Sequence, residues 1–99
     1  MTSNIFYISD IISIVMAMIE DIKNEELYGI ENDDLNLPLN ISNKIDDLNE
    51  DECEEFFNLI EEVTNKVYNL KNGELHELNL IHKEIIKFSN ENLKKYIIE

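Results

Sequence analysis

The sequence predicts an all-α fold, a small bundle of four to five helices that forms a single domain over residues 1–99. Three observations predict this fold. The chain of 99 residues is long enough to bury one core. It is 43% apolar but has two Gly and one Pro, too few turn-forming residues for a β-sandwich or barrel. Its apolar residues recur every three or four positions, which is helical spacing.

The first helix is predicted from about Ile5 to about Lys23. Thr2, Ser3 and Asn4 are residues that favour a helix start. Apolar residues then form one stripe at positions 5, 8, 11, 12, 15, 19 and 22, and others beside it predict burial on more than one side. Because β-branched residues are frequent here, a strand over part of the segment is the alternative.

The next segment, from Asn24 to Leu37, is predicted to be a loop with room for one helical turn. It contains Gly29, which can end a helix in the left-handed conformation. A short helix should follow from Pro38, whose missing N–H costs nothing in a first turn, to about Leu48. Its candidate core anchors are Leu39, Ile41 and Ile45.

The third helix is the clearest amphipathic segment of the chain. Asn49 is the predicted N-cap, and the three acidic residues after it suit the positive end of the helix dipole. The helix should end near Lys71, with Asn72 and Gly73 as the stop signal. Its apolar residues lie at positions 53, 56, 57, 60, 63, 67 and 70.

The last segment also has helical spacing, with apolar residues at positions 75, 78, 81, 85 and 88. Residues 89–91, Ser-Asn-Glu, have two interpretations. They either cap a separate short helix or lie in the middle of one long helix, and the sequence leaves both open. A separate helix would carry Leu93, Tyr96, Ile97 and Ile98.

Acidic residues are concentrated in the middle of the chain. The net charge is −14, and residues 23–55 contribute −10 of it, from twelve acidic residues and two lysines. Clustered like charges repel each other and oppose folding, so solubility alone would favour a more even distribution. All eight basic residues are lysines, and a chain this acidic should repel nucleic acid. The pattern therefore indicates a surface for a basic protein partner.

No residue pattern indicates an enzyme, a cofactor site or a metal site. An EF-hand loop starting at Asp47 would place Glu52 where the loop needs Gly and Asn58 where it needs a bidentate Glu. His76 and His82 are six residues apart, without the clustered His or Cys that zinc needs.

The single cysteine, Cys53, excludes an internal disulfide and fits a reducing compartment. Its acidic neighbours disfavour a thiolate, so we expect a small core residue. The apolar stretch from Ile11 to Ile19 is far shorter than the ~20 residues of a membrane span. We therefore expect a cytoplasmic protein without a membrane partner.

The stretch Glu26-Leu27-Tyr28-Gly29-Ile30-Glu31 resembles a Leu-Tyr-Gly-Val turn in the colicin D immunity family, whose small, helical, acidic members bind a tRNA-cleaving toxin domain. Immunity proteins of contact-dependent inhibition systems have similar helical folds. The match covers about six residues, and this chain departs from the family in lacking Arg and having a longer acidic middle. The resemblance implies that a toxin would be bound through Tyr28, Glu31, Asp33, Asp34, Asp46, Asp47, Glu50, Asp51, Glu54 and Glu55.

The leading functional hypothesis is thus an immunity-type inhibitor that covers the active site of a basic nuclease toxin by imitating nucleic acid. One alternative is a phage-type nucleic-acid mimic that blocks a host nuclease or DNA-binding protein. Another is a helical adaptor or homodimerisation module, in which the first helix would pack against a second copy. A homo-oligomer is possible under the leading hypothesis but is not required by it.

Overall fold

The computed structural model describes residues 4–29, 37–71 and 78–98. Within these ranges the chain forms four α-helices and one short 3₁₀ turn at Lys94–Tyr96. The predicted all-α bundle is thereby confirmed, and α1, α3 and α4 pack against one another around its core. The helices are α1 (Ile8–Tyr28), α2 (Leu39–Asp46), α3 (Glu50–Lys71) and α4 (Leu78–Asn92).

Helix α1 begins three residues later than predicted, because the residues before it pair with the end of the chain. Phe6 forms an isolated parallel bridge with Ile97. The N–H of Phe6 donates to the carbonyl of Tyr96 at 2.9 Å, and the N–H of Ile98 donates to the carbonyl of Phe6 at 2.7 Å. The extended backbone that this pairing needs excludes Phe6 from the helix.

The rest of α1 follows the apolar pattern. Ile11, Ile14, Val15 and Ile19 are buried, and residues on both sides of this stripe are half-buried, as predicted. The helix continues beyond Lys23, so the predicted loop start was too early. It ends at Gly29, which has a φ of 66° and donates its N–H to the carbonyl of Glu25. The end by a left-handed glycine is therefore confirmed.

Helix α2 has the predicted position, with Pro38 just before its first residue rather than inside its first turn. Ile41 is buried and Ile45 packs against the core, as expected of anchors. Leu39 is 75% exposed, so its prediction as an anchor was wrong. It precedes Ile41 by two positions, which places it on a different side of a helix.

Helix α3 matches the prediction in both its start and its end. Asn49 and Glu52 form a capping box: the Glu52 N–H donates to Asn49 Oδ1 at 2.8 Å, and the Asn49 N–H donates to Glu52 Oε1 at 3.0 Å. Phe56, Ile60, Val63 and Val67 are buried. Cys53 and Phe57 are half-buried and pack against the core, so Cys53 lies at the core edge.

Helix α4 passes through Ser89 without a break and ends at Asn92. Ser89 is buried, and its hydroxyl donates to the carbonyl of Ile85 in the same helix at 2.7 Å. Ser89 therefore does not cap a new helix. Neither interpretation of the last segment was right, because the 3₁₀ turn and the bridge to Phe6 follow α4. The predicted stop at Asn72 and Gly73 lies outside the described residues.

The two ends of the described chain meet in an aromatic cluster beside the start of α3. The Phe6 ring is stacked on Phe56 with 4.6 Å between centroids. Tyr96 contacts Phe56 edge-on at 5.2 Å, and all three residues are fully buried. This cluster fixes the first two turns of α3, which carry four of the ten predicted site residues: Glu50, Asp51, Glu54 and Glu55.

Candidate partner-binding surface

The turn between α2 and α3 joins the acidic end of α2 to the acidic start of α3. Asp46 is the last residue of α2, and Asp47 follows it as the C-cap. The buried side chain of Leu48 anchors the turn, and the capping box then fixes the start of α3. Asp46 and Asp47 are both exposed.

The outer side of α3 carries carboxylates in two adjacent rows. Glu50, Glu54 and Glu61 are separated by four and then seven residues, so they follow one line along the helix. The same intervals separate Asp51, Glu55 and Glu62, which form the neighbouring line. All are exposed. We call the set the α3 acidic face: Glu50, Asp51, Glu54, Glu55, Glu61 and Glu62.

This arrangement carries an electrostatic cost. Glu50 and Asp51 lie in the first turn of α3, where the helix dipole favours negative charge. Glu54 lies beyond that turn, four residues from Glu50 and three from Asp51, and like charges at these spacings destabilise a helix. The dipole therefore accounts for the start of the α3 acidic face but not for its continuation.

The lysines that form ion pairs in the described structure leave most of this surface unneutralised. Lys44 pairs with Asp10, Lys66 pairs with Glu84 on α4, and Lys95 pairs with Glu55. Within residues 4–29, 37–71 and 78–98, no ion pair involves Asp46, Asp47 or the α3 acidic face apart from Glu55.

Glu55 is the exception because the end of the chain binds it. Its Oε1 atom pairs with Lys95 and accepts the Tyr96 hydroxyl hydrogen bond at 2.8 Å. The hydrogen bonds from Lys95 and Tyr96 lower the pKa of Glu55. Burial, together with the bond to Glu55, raises the pKa of the Tyr96 hydroxyl. Glu55 is thus partly neutralised from within the chain, unlike its neighbours.

The structure brings together five of the predicted site residues besides Glu55: Asp46, Asp47, Glu50, Asp51 and Glu54. Tyr28 was expected in a loop but is the last residue of α1. Glu31, Asp33 and Asp34 lie outside the described residues, so their predicted role stays a prediction.

Glu61 and Glu62 were missing from the predicted site. They lie two turns further along α3, and their seven-residue spacing from Glu54 and Glu55 is visible in the sequence. Lysines beyond residue 55 reduce the net charge of that part of the sequence and so hide the two carboxylates. Their position on the same helix face as Glu54 and Glu55 is the signal that identifies them.

The described structure contains no arrangement typical of metal chemistry. Over the described ranges, no group of three or more His, Cys, Asp or Glu side chains could hold a metal ion. His82 is half-buried on α4, and His76 lies in a range that is not described. In the same parts of the chain, no helix is long and apolar enough to cross a membrane.

Comparison of the chain with protein-family models, with curated proteins and with solved structures found no match.

Proposed function

We propose that this chain is an acidic, immunity-type inhibitor that binds a basic nuclease toxin domain and occludes its active site. The observation that carries the proposal is the α3 acidic face, whose carboxylates are exposed and, apart from Glu55, outside every ion pair of the described residues. Asp46 and Asp47 extend the same charge toward α2. Such a surface attracts cationic groups on another molecule.

The charge density of the face supports mimicry of a nucleic acid strand. Glu50 and Glu62 are separated by about 18 Å along the helix axis, at about 1.5 Å per residue. Without Glu55, five carboxylates lie over that length, at a mean axial interval of ~4.5 Å. A strand of duplex DNA carries one phosphate per ~3.4 Å of its axis. A cleft lined with Lys and Arg for a phosphate backbone would therefore meet a charge spacing of the same order on α3.

The rigidity of the face supports the same interpretation. Its first two turns are fixed by the Asn49–Glu52 capping box and by Phe56, which packs between Phe6 and Tyr96. A preorganised surface loses less conformational entropy on binding than a mobile one. An inhibitor that has to compete with substrate benefits from that difference.

The alternative of a homodimerisation module loses its structural motivation. It required the apolar stripe of α1 to be available to a second copy. Ile11, Ile14, Val15 and Ile19 are instead buried in the chain's own core, with α3 and α4 packed against α1. The phage-type mimic would use the same acidic surface, so only the identity of the partner separates it from the proposal.

The proposal is tested by titrating the purified protein into a nuclease assay. The candidate target is a toxin nuclease domain encoded beside its gene, with tRNA as the substrate. We expect protection of the substrate to be complete at one inhibitor per nuclease. Cleavage that persists at a tenfold excess of inhibitor would contradict the proposal. Inhibition of a housekeeping nuclease or DNA-binding protein instead would support the phage-type mimic.

A further inference from the structure

We infer that α2 is a strap that opens separately from the rest of the bundle and is held closed by the Lys44–Asp10 ion pair. The inference concerns the link between α2 and the first turn of α1. It does not depend on the proposed function, since it requires no partner. Three observations lead to it, namely the short length of α2, its small buried surface and the environment of the ion pair.

Helix α2 is too short to be stable on its own. It has eight residues, whereas isolated helices below about 12–15 residues are marginal in water. All eight residues are described, and Ile41 is the one that is buried. Four of them are exposed, including Leu39 and Asp46. Helices α1, α3 and α4 in contrast share the main core, so α2 depends on a few contacts to remain docked.

The Lys44–Asp10 ion pair links α2 to the first turn of α1. Lys44 Nζ lies 2.6 Å from Asp10 Oδ2, and the two side chains are 23% and 9% exposed. The same carboxylate oxygen accepts the Tyr7 N–H at 2.9 Å, which caps the start of α1. The Lys44 ammonium also lies 4.5 Å from the centre of the Tyr7 ring. A single lysine therefore joins α2 to both groups that define the first turn of α1.

This low exposure distinguishes the pair from the other ion pairs of the described structure. Lys66 and Glu84 join α3 to α4 at 3.3 Å, but their side chains are 54% and 26% exposed. Exposed pairs contribute little, whereas removing one partner of a shielded pair leaves an uncompensated charge. Without Lys44, the Asp10 carboxylate would be shielded and unpaired in the docked state. Undocking of α2 would expose this carboxylate to water, so loss of Lys44 should favour undocking.

Undocking of α2 would change two surfaces at once. Ile41 and Ile45 would leave the core, and the acidic end of α2 would separate from the α3 acidic face. The bundle of α1, α3 and α4 would persist, because its buried residues are contributed almost wholly by those helices and the chain ends. The strap is thus a conformational device that alters the molecule's acidic surface without global unfolding.

The test is native-state hydrogen exchange of the full chain, followed residue by residue by NMR at low denaturant concentrations. In the wild type we expect the amides of α2 to exchange through an opening with a smaller denaturant dependence than the amides of Val15 and Ile60. Lys44→Met should increase the α2 opening constant at least about tenfold. The control, Lys66→Met, should change it less than about twofold.

A second variant covers the case in which Lys44→Met does not fold. Asp10→Asn removes the charge but retains an oxygen that can accept the Tyr7 N–H, so it should increase α2 opening by a smaller factor. Two results would overturn the inference. One is that α2 amides share the opening constant and denaturant dependence of Val15 and Ile60 in the wild type. The other is that neither variant changes the opening of α2.

Discussion

Glu55 differs from the other carboxylates of the α3 acidic face because two residues of the chain's own tail bind it. Lys95 supplies a charge, and the buried Tyr96 supplies a hydroxyl hydrogen bond of 2.8 Å. The same hydroxyl is 3.4 Å from the carbonyl of Glu52. Glu55 therefore holds the tail against the start of α3. We assign it this internal role, whereas the sequence analysis predicted that it binds a partner.

This role predicts a pH-dependent contribution of Glu55 to stability. Its pKa is lowered in the folded state from the ordinary value of 4.5, so its contribution is present above pH 4.5 and is lost as pH falls through the lowered pKa. We expect Glu55→Gln to lower the melting temperature at pH 7, with the difference from the wild type shrinking in acid. Thermal unfolding followed by circular dichroism from pH 7 to pH 3 measures this difference.

Glu54→Gln is the matched control, because Glu54 is exposed on the same turn and has no ion pair among the described residues. Its removal relieves repulsion, so the melting temperature at pH 7 should stay constant or rise. Equal decreases for the two variants would show that Glu55 has no special role.

At the scale of a helix, the end of α1 depends on the backbone of Gly29. Its φ of 66° is favourable for glycine and strained for residues with a Cβ atom. Among the residues that the structure describes, a Cβ added there would meet no atom within 4 Å beyond its own chain neighbours, so contact with them adds nothing to the cost. Gly29→Ala should therefore lower the free energy of unfolding by about 1 kcal/mol through backbone strain alone.

Urea denaturation of Gly29→Ala and Gly29→Asn tests this explanation. Asn tolerates the left-handed conformation better than Ala, so Gly29→Asn should cost less. If both variants lost the same stability, the cause would lie elsewhere than in the left-handed backbone.

Element boundaries were predictable from the sequence where local chemistry sets them. Helix α3 starts at a capping box whose two residues are three positions apart, so both its start and its charged first turn were visible. The start of α1 was predicted too early because Phe6 pairs with Ile97 in an extended conformation. Local sequence patterns do not indicate pairing between residues so distant in sequence. The same pairing explains why the last segment is neither one helix nor two.

In the candidate site, too, features set by local sequence could be predicted and features set by long-range contacts could not. The exposed rows of α3 are a consequence of helical periodicity, and Glu61 and Glu62 could have been predicted from it. The ion pair between Glu55 and Lys95 could not have been predicted, because the two residues lie 40 positions apart and meet through tertiary packing. The pairing of Asp10 with Lys44 was not predicted either, because the two residues lie 34 positions apart and meet through tertiary packing.

At the scale of the whole molecule, three lysines form ion pairs among the described residues, and each pair connects two parts of the fold. These pairs leave most carboxylates on the outer side of α3 without a cationic partner. Lys44 links α2 to α1, Lys66 links α3 to α4, and Lys95 links the tail to α3. Five exposed carboxylates of the α3 acidic face therefore have no ion pair among the described residues. We propose that a cationic partner binds the α3 acidic face and relieves the repulsion among its carboxylates.

The measurement that tests this claim most directly is the association rate with the target nuclease as a function of ionic strength. The variant Glu50→Gln/Glu54→Gln/Glu61→Gln neutralises one row of the α3 acidic face. The control Glu20→Gln/Glu25→Gln/Glu91→Gln removes the same charge from exposed positions on α1 and α4.

We expect the α3 variant to associate on the order of tenfold more slowly at low salt and the control to change far less, because steering depends on where the charge lies. The difference between the two should diminish as salt screens the face. Equal rates for the two variants at every ionic strength would contradict the claim that the α3 acidic face binds the partner.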